Sequence, residues 1–181
     1  TRRTSWAVGK KEGKVAIILG NEGGKMLEGN LALLRMFHRL GLREMQLVWN
    51  VPNQLCMRRK EGEGLTDFGK DVVREMNRLG IVIDVSHIPT QAFMDVLEVS
   101  EDPVVISHGN AGFQQPLDRA YPLDYEATKV MCERGGVLGQ HFFNGYVRSP
   151  PESKGKTPID VNVLMNAIDY AVQELGVNGV A

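Results

Sequence analysis

Two histidines and a glutamate stand where short apolar runs end, and these are the residues equipped for chemistry. His87 follows IVIDVS, His108 follows VVIS, and Glu22 comes one residue past VAIILG, in Asn21-Glu22-Gly23-Gly24. Imidazole nitrogen and carboxylate oxygen are ordinary zinc ligands, held at about 2.0–2.2 Å. Taken singly, each residue reads as structural: a packed histidine or a carboxylate in a turn. Gathered at one sheet edge they predict a metal site, since a carboxylate at a buried edge needs a cation or a donor.

The elements that must position them begin with Gly80–Asn110, which reads as strand, helix, strand. Both strands are short, β-branched and apolar, the pattern of strands buried on both faces of a parallel sheet. Between them, Pro89–Ser100 carries Phe93, Val96 and Leu97 at helical spacing. Such a crossover makes the strands parallel, so both histidines emerge at the same edge. As neighbours about 4.8 Å apart, the strands would let the imidazoles share one ion. Asp84 is expected either to orient an imidazole or to cap a neighbouring helix. His141 reads as packed beside Phe142 and Phe143, His38 as a helix residue, and Cys56 and Cys132 as bystanders. Arg119, in the irregular segment after His108, is a candidate anchor for a substrate carboxylate through its two-pronged guanidinium.

Along the chain, Val15–Gly20 reads as a buried strand, Asn30–Leu40 as a helix, Met45–Trp49 as a second strand and Asp67–Leu79 as a helix capped by Thr66. A helix over about 124–134, a strand Val137–Phe142 and a helix Ile159–Leu175 follow. Gly176–Ala181 looks like the opening of a sixth strand. Strand starts near 15, 45, 81, 104, 137 and 178 alternate with helices, which gives a parallel sheet, doubly wound or closed as a (β/α)8 barrel. The barrel is favoured because the candidate ligands sit at the ends of several strands. Six strands do not close eight, so residues 1–181 are expected to be one domain, the central part of a longer barrel.

Composition narrows the class further. The 181 residues hold 21 basic and 22 acidic side chains, with no basic run of the kind that binds nucleic acid. Two cysteines make no disulfide framework. No apolar run approaches the ~20 residues of a membrane span, and the first residues lack the apolar centre of a signal peptide. The chain reads as soluble and cytoplasmic, although a processed secreted protein has much the same composition. No GxGxxG or GxxxxGK[ST] follows the first strand, which removes the usual dinucleotide and P-loop readings.

The segments GKVAIILGNEGG (Gly13–Gly24), GLTDFGKDVVREMNRLG (Gly64–Gly80), IDVSH (Ile83–His87), PVVISHGNA (Pro103–Ala111) and ERGGVLG (Glu133–Gly139) together resemble the membrane (renal) dipeptidase family of metallopeptidases. The resemblance implies a (β/α)8 barrel with two zinc ions at its mouth that hydrolyses dipeptides and related small amides, commonly as a homodimer. By position, Glu22 is similar to the carboxylate that bridges both metals, His87 and His108 to the ligands of one of them, and Arg119 to the arginine that holds the substrate's C-terminal carboxylate. Three departures stand out. The His-x-Asp pair that serves the other metal is absent, a histidine after the second strand is replaced by Trp49, and the late catalytic acid has no counterpart in this chain. They keep two alternatives open, a barrel hydrolase acting on a lactam or lactone and a non-catalytic relative.

Overall fold

Alternation along the strands gives the molecule an apolar side and a polar side. The computed structural model describes residues 12–49, 51–56, 64–109, 125–141 and 161–181. Among these, β1 (Leu19–Asn21), β2 (Leu42–Gln46), β3 (Val82–Asp84), β4 (Val105–Gly109) and β5 (Val137–Gln140) form one parallel sheet in sequential order. Met45 lies beside Ile83, and Ile106 beside Leu138; all four are buried under the helices. Their strand neighbours Glu44, Gln46, Asp84 and Ser107 point the other way and line a cleft.

Five helices cover the apolar side: α1 (Leu31–Leu40), α2 (Asp67–Leu79), α3 (Thr90–Val99), α4 (Tyr125–Glu133) and α5 (Val161–Leu175). Each packs against the next, so they share one face of the sheet. A doubly wound sheet carries helices on both faces and reverses its strand order at a switch point. This sheet keeps one order and one helical face, as an arc of a (β/α)8 barrel does.

Helix boundaries follow from capping. The Asn30 side chain accepts from the Ala32 amide and starts α1; Thr66 Oγ1 accepts from the Gly69 amide at 3.0 Å and starts α2. Gly80, at φ 70°, ends α2 in the left-handed region that glycine enters without steric cost.

Several expectations are corrected. The Val15–Gly20 strand is reduced to Leu19–Asn21, and Val15, Ile17 and Ile18 are 88, 82 and 63% exposed, since no described element pairs or packs against them. The second strand spans Leu42–Gln46 rather than Met45–Trp49; Leu47 and Val48 are buried beyond its end, and Trp49 makes an isolated bridge to Val51. The central strands are buried on one face only: Val82 is exposed and Val105 half-buried on the cleft side. His108 lies within β4, not past it. The expected opening of a sixth strand is confined to the end of Gly176–Ala181: a 3-10 turn, Val177–Gly179, comes first, and Val180 then bridges Leu138 in parallel.

Between α1 and α2, Glu75 receives Arg78 (Nε 2.7 Å, Nη2 2.6 Å) and Arg35 Nε (2.6 Å). The Arg78 hydrogen bonds, outweighing burial and reinforced by Arg35, hold its carboxyl at about 2 instead of 4.5. A depressed carboxyl stabilises the fold fully above its ordinary value, and that contribution is lost as pH falls from about 4.5 towards 2. Glu75→Gln should therefore cost about 1 kcal/mol at neutral pH, given two exposed arginine partners. The difference from wild type should shrink as melting is followed from pH 5 to pH 2.

Candidate metal centre

The three predicted ligands converge. His87 Nε2 and His108 Nε2 face each other at 2.8 Å, and Glu22 Oε1 lies 3.7 Å from the first and 3.4 Å from the second. A tetrahedral zinc with ligands at about 2.0–2.1 Å separates its donor atoms by roughly 3.3 Å. The observed triangle brackets that spacing, and its two neutral nitrogens and one carboxylate suit zinc. The residues present fit the metal.

Each ligand is delivered by a local device. Glu22 follows β1 in a turn where the Asn21 side chain donates to the Gly23 carbonyl at 2.7 Å. Gly23 has φ 97°, and a Cβ on Gly24 would meet Leu55 at 2.8 Å and the Leu47 carbonyl at 3.0 Å. The glycines thus let the turn close onto the end of β2, where the Gly24 amide donates to Leu47. His87 sits two residues past Val85 in a turn closed by Ile88 N to Val85 O, at φ 62°. Non-glycine residues enter that region rarely, histidine more readily than most.

His108 is placed by a bulge. Ile106 pairs with Leu138 and Gly109 with Gln140, so β4 carries one residue more than β5 over that interval. Strict alternation would send Ser107 and His108 to opposite faces; with the bulge both line the cleft.

Beneath the imidazoles lies Asp84, 2% exposed. Its Oδ1 accepts from the Ser86 amide (2.8 Å), Ser86 Oγ (2.6 Å) and the Ser107 amide (3.2 Å), and its Oδ2 from Ser107 Oγ (2.5 Å). Ser107 Oγ also lies 2.8 Å from His108 Nδ1. Asp84 therefore ties β3 to β4 and caps no helix. Gln46 donates to the Ser86 carbonyl at 2.8 Å, bracing the same turn from β2.

The cleft measures about 440 Å³, within the range of small-ligand sites. His141 stands at its edge, its ring 5.6 Å from that of His108. Burial, then the neighbouring His108, lowers its basicity. It lines the cleft instead of packing away from it. Glu44 is the other resident that the sequence reading passed over. Burial, then Asp84 and Glu22, push its carboxyl up to about 7. A polar pair at alternate positions of β2, Glu44 and Gln46, was the signal for it. Arg119 lies outside the described residues. Cys56 and Cys132 stand outside the cleft, and His38 is on α1.

A single arc of barrel thus gathers two imidazoles and a carboxylate at the carboxyl ends of its strands. The chain belongs to the membrane dipeptidase family: residues 4–181 match the family model described as Membrane dipeptidase (Peptidase family M19). It is 37% identical to the dipeptidase tcpJ of Claviceps purpurea over 133 residues, covering 71% of this chain and 31% of that protein. With an uncharacterised dipeptidase of Schizosaccharomyces pombe it shares 31% over 168 residues, 90% of this chain and 40% of the relative. Among solved structures, a metallopeptidase from Rhodobacter sphaeroides bound to a phosphinate mimic of the dipeptide L-Ala-D-Ala is 29% identical. It superposes with a TM-score of 0.83 over 97% of this chain and 51% of its own. An amidohydrolase from Pseudomonas aeruginosa gives 26% and 0.81 over 97% and 52%. The chain thus spans about half the length of these solved relatives and less of the curated ones.

The raised Glu44 carboxyl carries a pH signature. The folded form binds a proton that the unfolded chain releases near 4.5, so Glu44 lowers stability as pH rises from about 4.5 through about 7. In metal-free protein, Glu44→Gln should raise Tm relative to wild type at pH 8 and leave it unchanged at pH 4, by scanning calorimetry.

Proposed function

We propose that the chain carries the zinc centre of a dipeptidase, with Glu22, His87 and His108 as ligands and a small dipeptide as substrate. The observation that carries this reading is the triangle of donor atoms with edges of 2.8, 3.4 and 3.7 Å. Membership of the family and its relatives named as dipeptidases support it.

A metal held by these residues would make available a water that loses its proton near neutral pH, and would polarise the scissile carbonyl. His87 and His108 contribute neutral lone pairs. Glu22 would offset part of the cation's charge through one carboxylate oxygen. Hydrolysis adds one water across the peptide bond, the hydroxyl to the carbonyl carbon and a proton to the departing amine. Glu22, its side chain half exposed, would carry that proton on the oxygen not bound to the ion. Asn21 and Gln46 add neutral polar groups to the cleft wall. Arg119 would take the substrate's terminal carboxylate through paired hydrogen bonds. The phosphinate dipeptide mimic held by the Rhodobacter sphaeroides relative supports a dipeptide over a lactam or lactone.

Zinc content and dipeptide turnover test the reading. Wild type should hold zinc and turn over dipeptides, while Glu22→Gln and His108→Ala each lose at least about 100-fold in kcat/KM, roughly 2.7 kcal/mol of barrier. Arg119→Ala should act mainly through a higher KM. Turnover unchanged in both ligand variants would reject the proposal.

A further inference from the structure

The proton positions around His108 follow from counting donors. As a carboxylate, Asp84 only accepts. The Ser107 hydroxyl has one hydrogen, and its Oγ lies within bonding distance of both Asp84 Oδ2 and His108 Nδ1. That hydrogen goes to Asp84, the charged acceptor and the shorter contact. The Ser107 oxygen is then left to accept, and the only proton available on the histidine side is on Nδ1. The Ser86 hydroxyl is committed in the same way to Asp84 Oδ1. It cannot also serve Ser107, whose Oγ lies 3.4 Å away.

We infer that Asp84, acting through the Ser107 hydroxyl, is a positioning residue that holds His108 as its Nδ1–H tautomer and turns the Nε2 lone pair towards Glu22 and His87. The facing nitrogens agree with this. At 2.8 Å one of the pair must donate and the other accept, and the relay makes His108 the acceptor. Metal then requires a tautomer change at His87 alone, with His108 already presenting its ligand atom. The inference deepens the zinc reading and rests on it for its purpose, yet the tautomer is measurable without metal. An imidazole fixed this way loses less freedom on coordination, and outer hydrogen bonds of this kind are worth 10- to 100-fold in metal affinity.

The isosteric Asp84→Asn substitution discriminates the relay from simple packing. The amide oxygen can keep the three donors at the Oδ1 position, which places the NH2 against Ser107 Oγ. Ser107 Oγ then accepts from Asn and its hydrogen is released from Oδ2; donated to His108 Nδ1, the strongest acceptor left to it, that hydrogen moves the ring proton to Nε2. A carboxylate-to-amide change elsewhere reverses a histidine tautomer by the same logic. The experiment is long-range 1H–15N correlation of the imidazoles in metal-free, 15N-labelled protein, with zinc affinity by chelator competition on the same samples. Wild type should show His108 as Nδ1–H. Asp84→Asn should show it as Nε2–H and bind zinc 10- to 100-fold more weakly. Ser107→Ala should weaken zinc by a similar factor, and Ser107→Thr, which keeps the hydroxyl, should restore affinity to within about 3-fold of wild type. His108 as Nε2–H in wild type, or an unchanged tautomer in Asp84→Asn, overturns the inference. A wild type that binds no zinc but keeps Nδ1–H upholds the relay and overturns the zinc reading instead.

Discussion

Two imidazole nitrogens 2.8 Å apart cannot both carry a proton. That single constraint organises the carboxyl edge of this sheet. At least one lone pair must face the gap, and a carboxylate oxygen stands within 3.4 Å of it, so the arrangement concentrates acceptors at one point. Acceptors so gathered repel unless a proton or a cation sits among them. The buried Asp84, with its four donors, is the part that makes the crowding permanent, since it anchors the chain just before one imidazole and the residue adjoining the other.

The fold supplies the rest by separating duties between two faces. One face of each strand is given to the helices, where Met45, Ile83, Ile106 and Leu138 are buried. The opposite face carries Glu44, Gln46, Asp84 and Ser107. Because the strands are parallel and in sequential order, their carboxyl ends lie together, and side chains far apart in sequence meet there. Stability and chemistry are thus assigned to different sides of one backbone. The glutamate between the arginines of α1 and α2 belongs to the first, and the raised carboxyl of Glu44 to the second.

Most of the frame was legible because it depends on short-range patterns. Thr66 and Gly80 bound α2 at the residues expected, and Asn30 and Gly41 bound α1. Convergence of Glu22, His87 and His108 was legible too, as three side chains just past, or at, the ends of parallel strands. What escaped was non-local. The bulge at Ser107 exists only through pairing with β5, and alternation along β4 alone would set Ser107 and His108 on opposite faces. The left-handed backbone of His87 has no signature in a single sequence. Val15–Ile18 were apolar enough for a strand, but a strand needs a partner edge, and no described element offers one. Glu44 was overlooked because burial and the neighbouring carboxylates, not its type, set its behaviour.

The central claim is that one cation is held jointly by Glu22, His87 and His108. It is tested most directly by anomalous diffraction at the zinc edge on crystals of the zinc-loaded protein. The account predicts an anomalous peak within about 2.0–2.2 Å of both Nε2 atoms and a Glu22 oxygen. A zinc peak elsewhere, with the two imidazoles still hydrogen-bonded to each other, would contradict it.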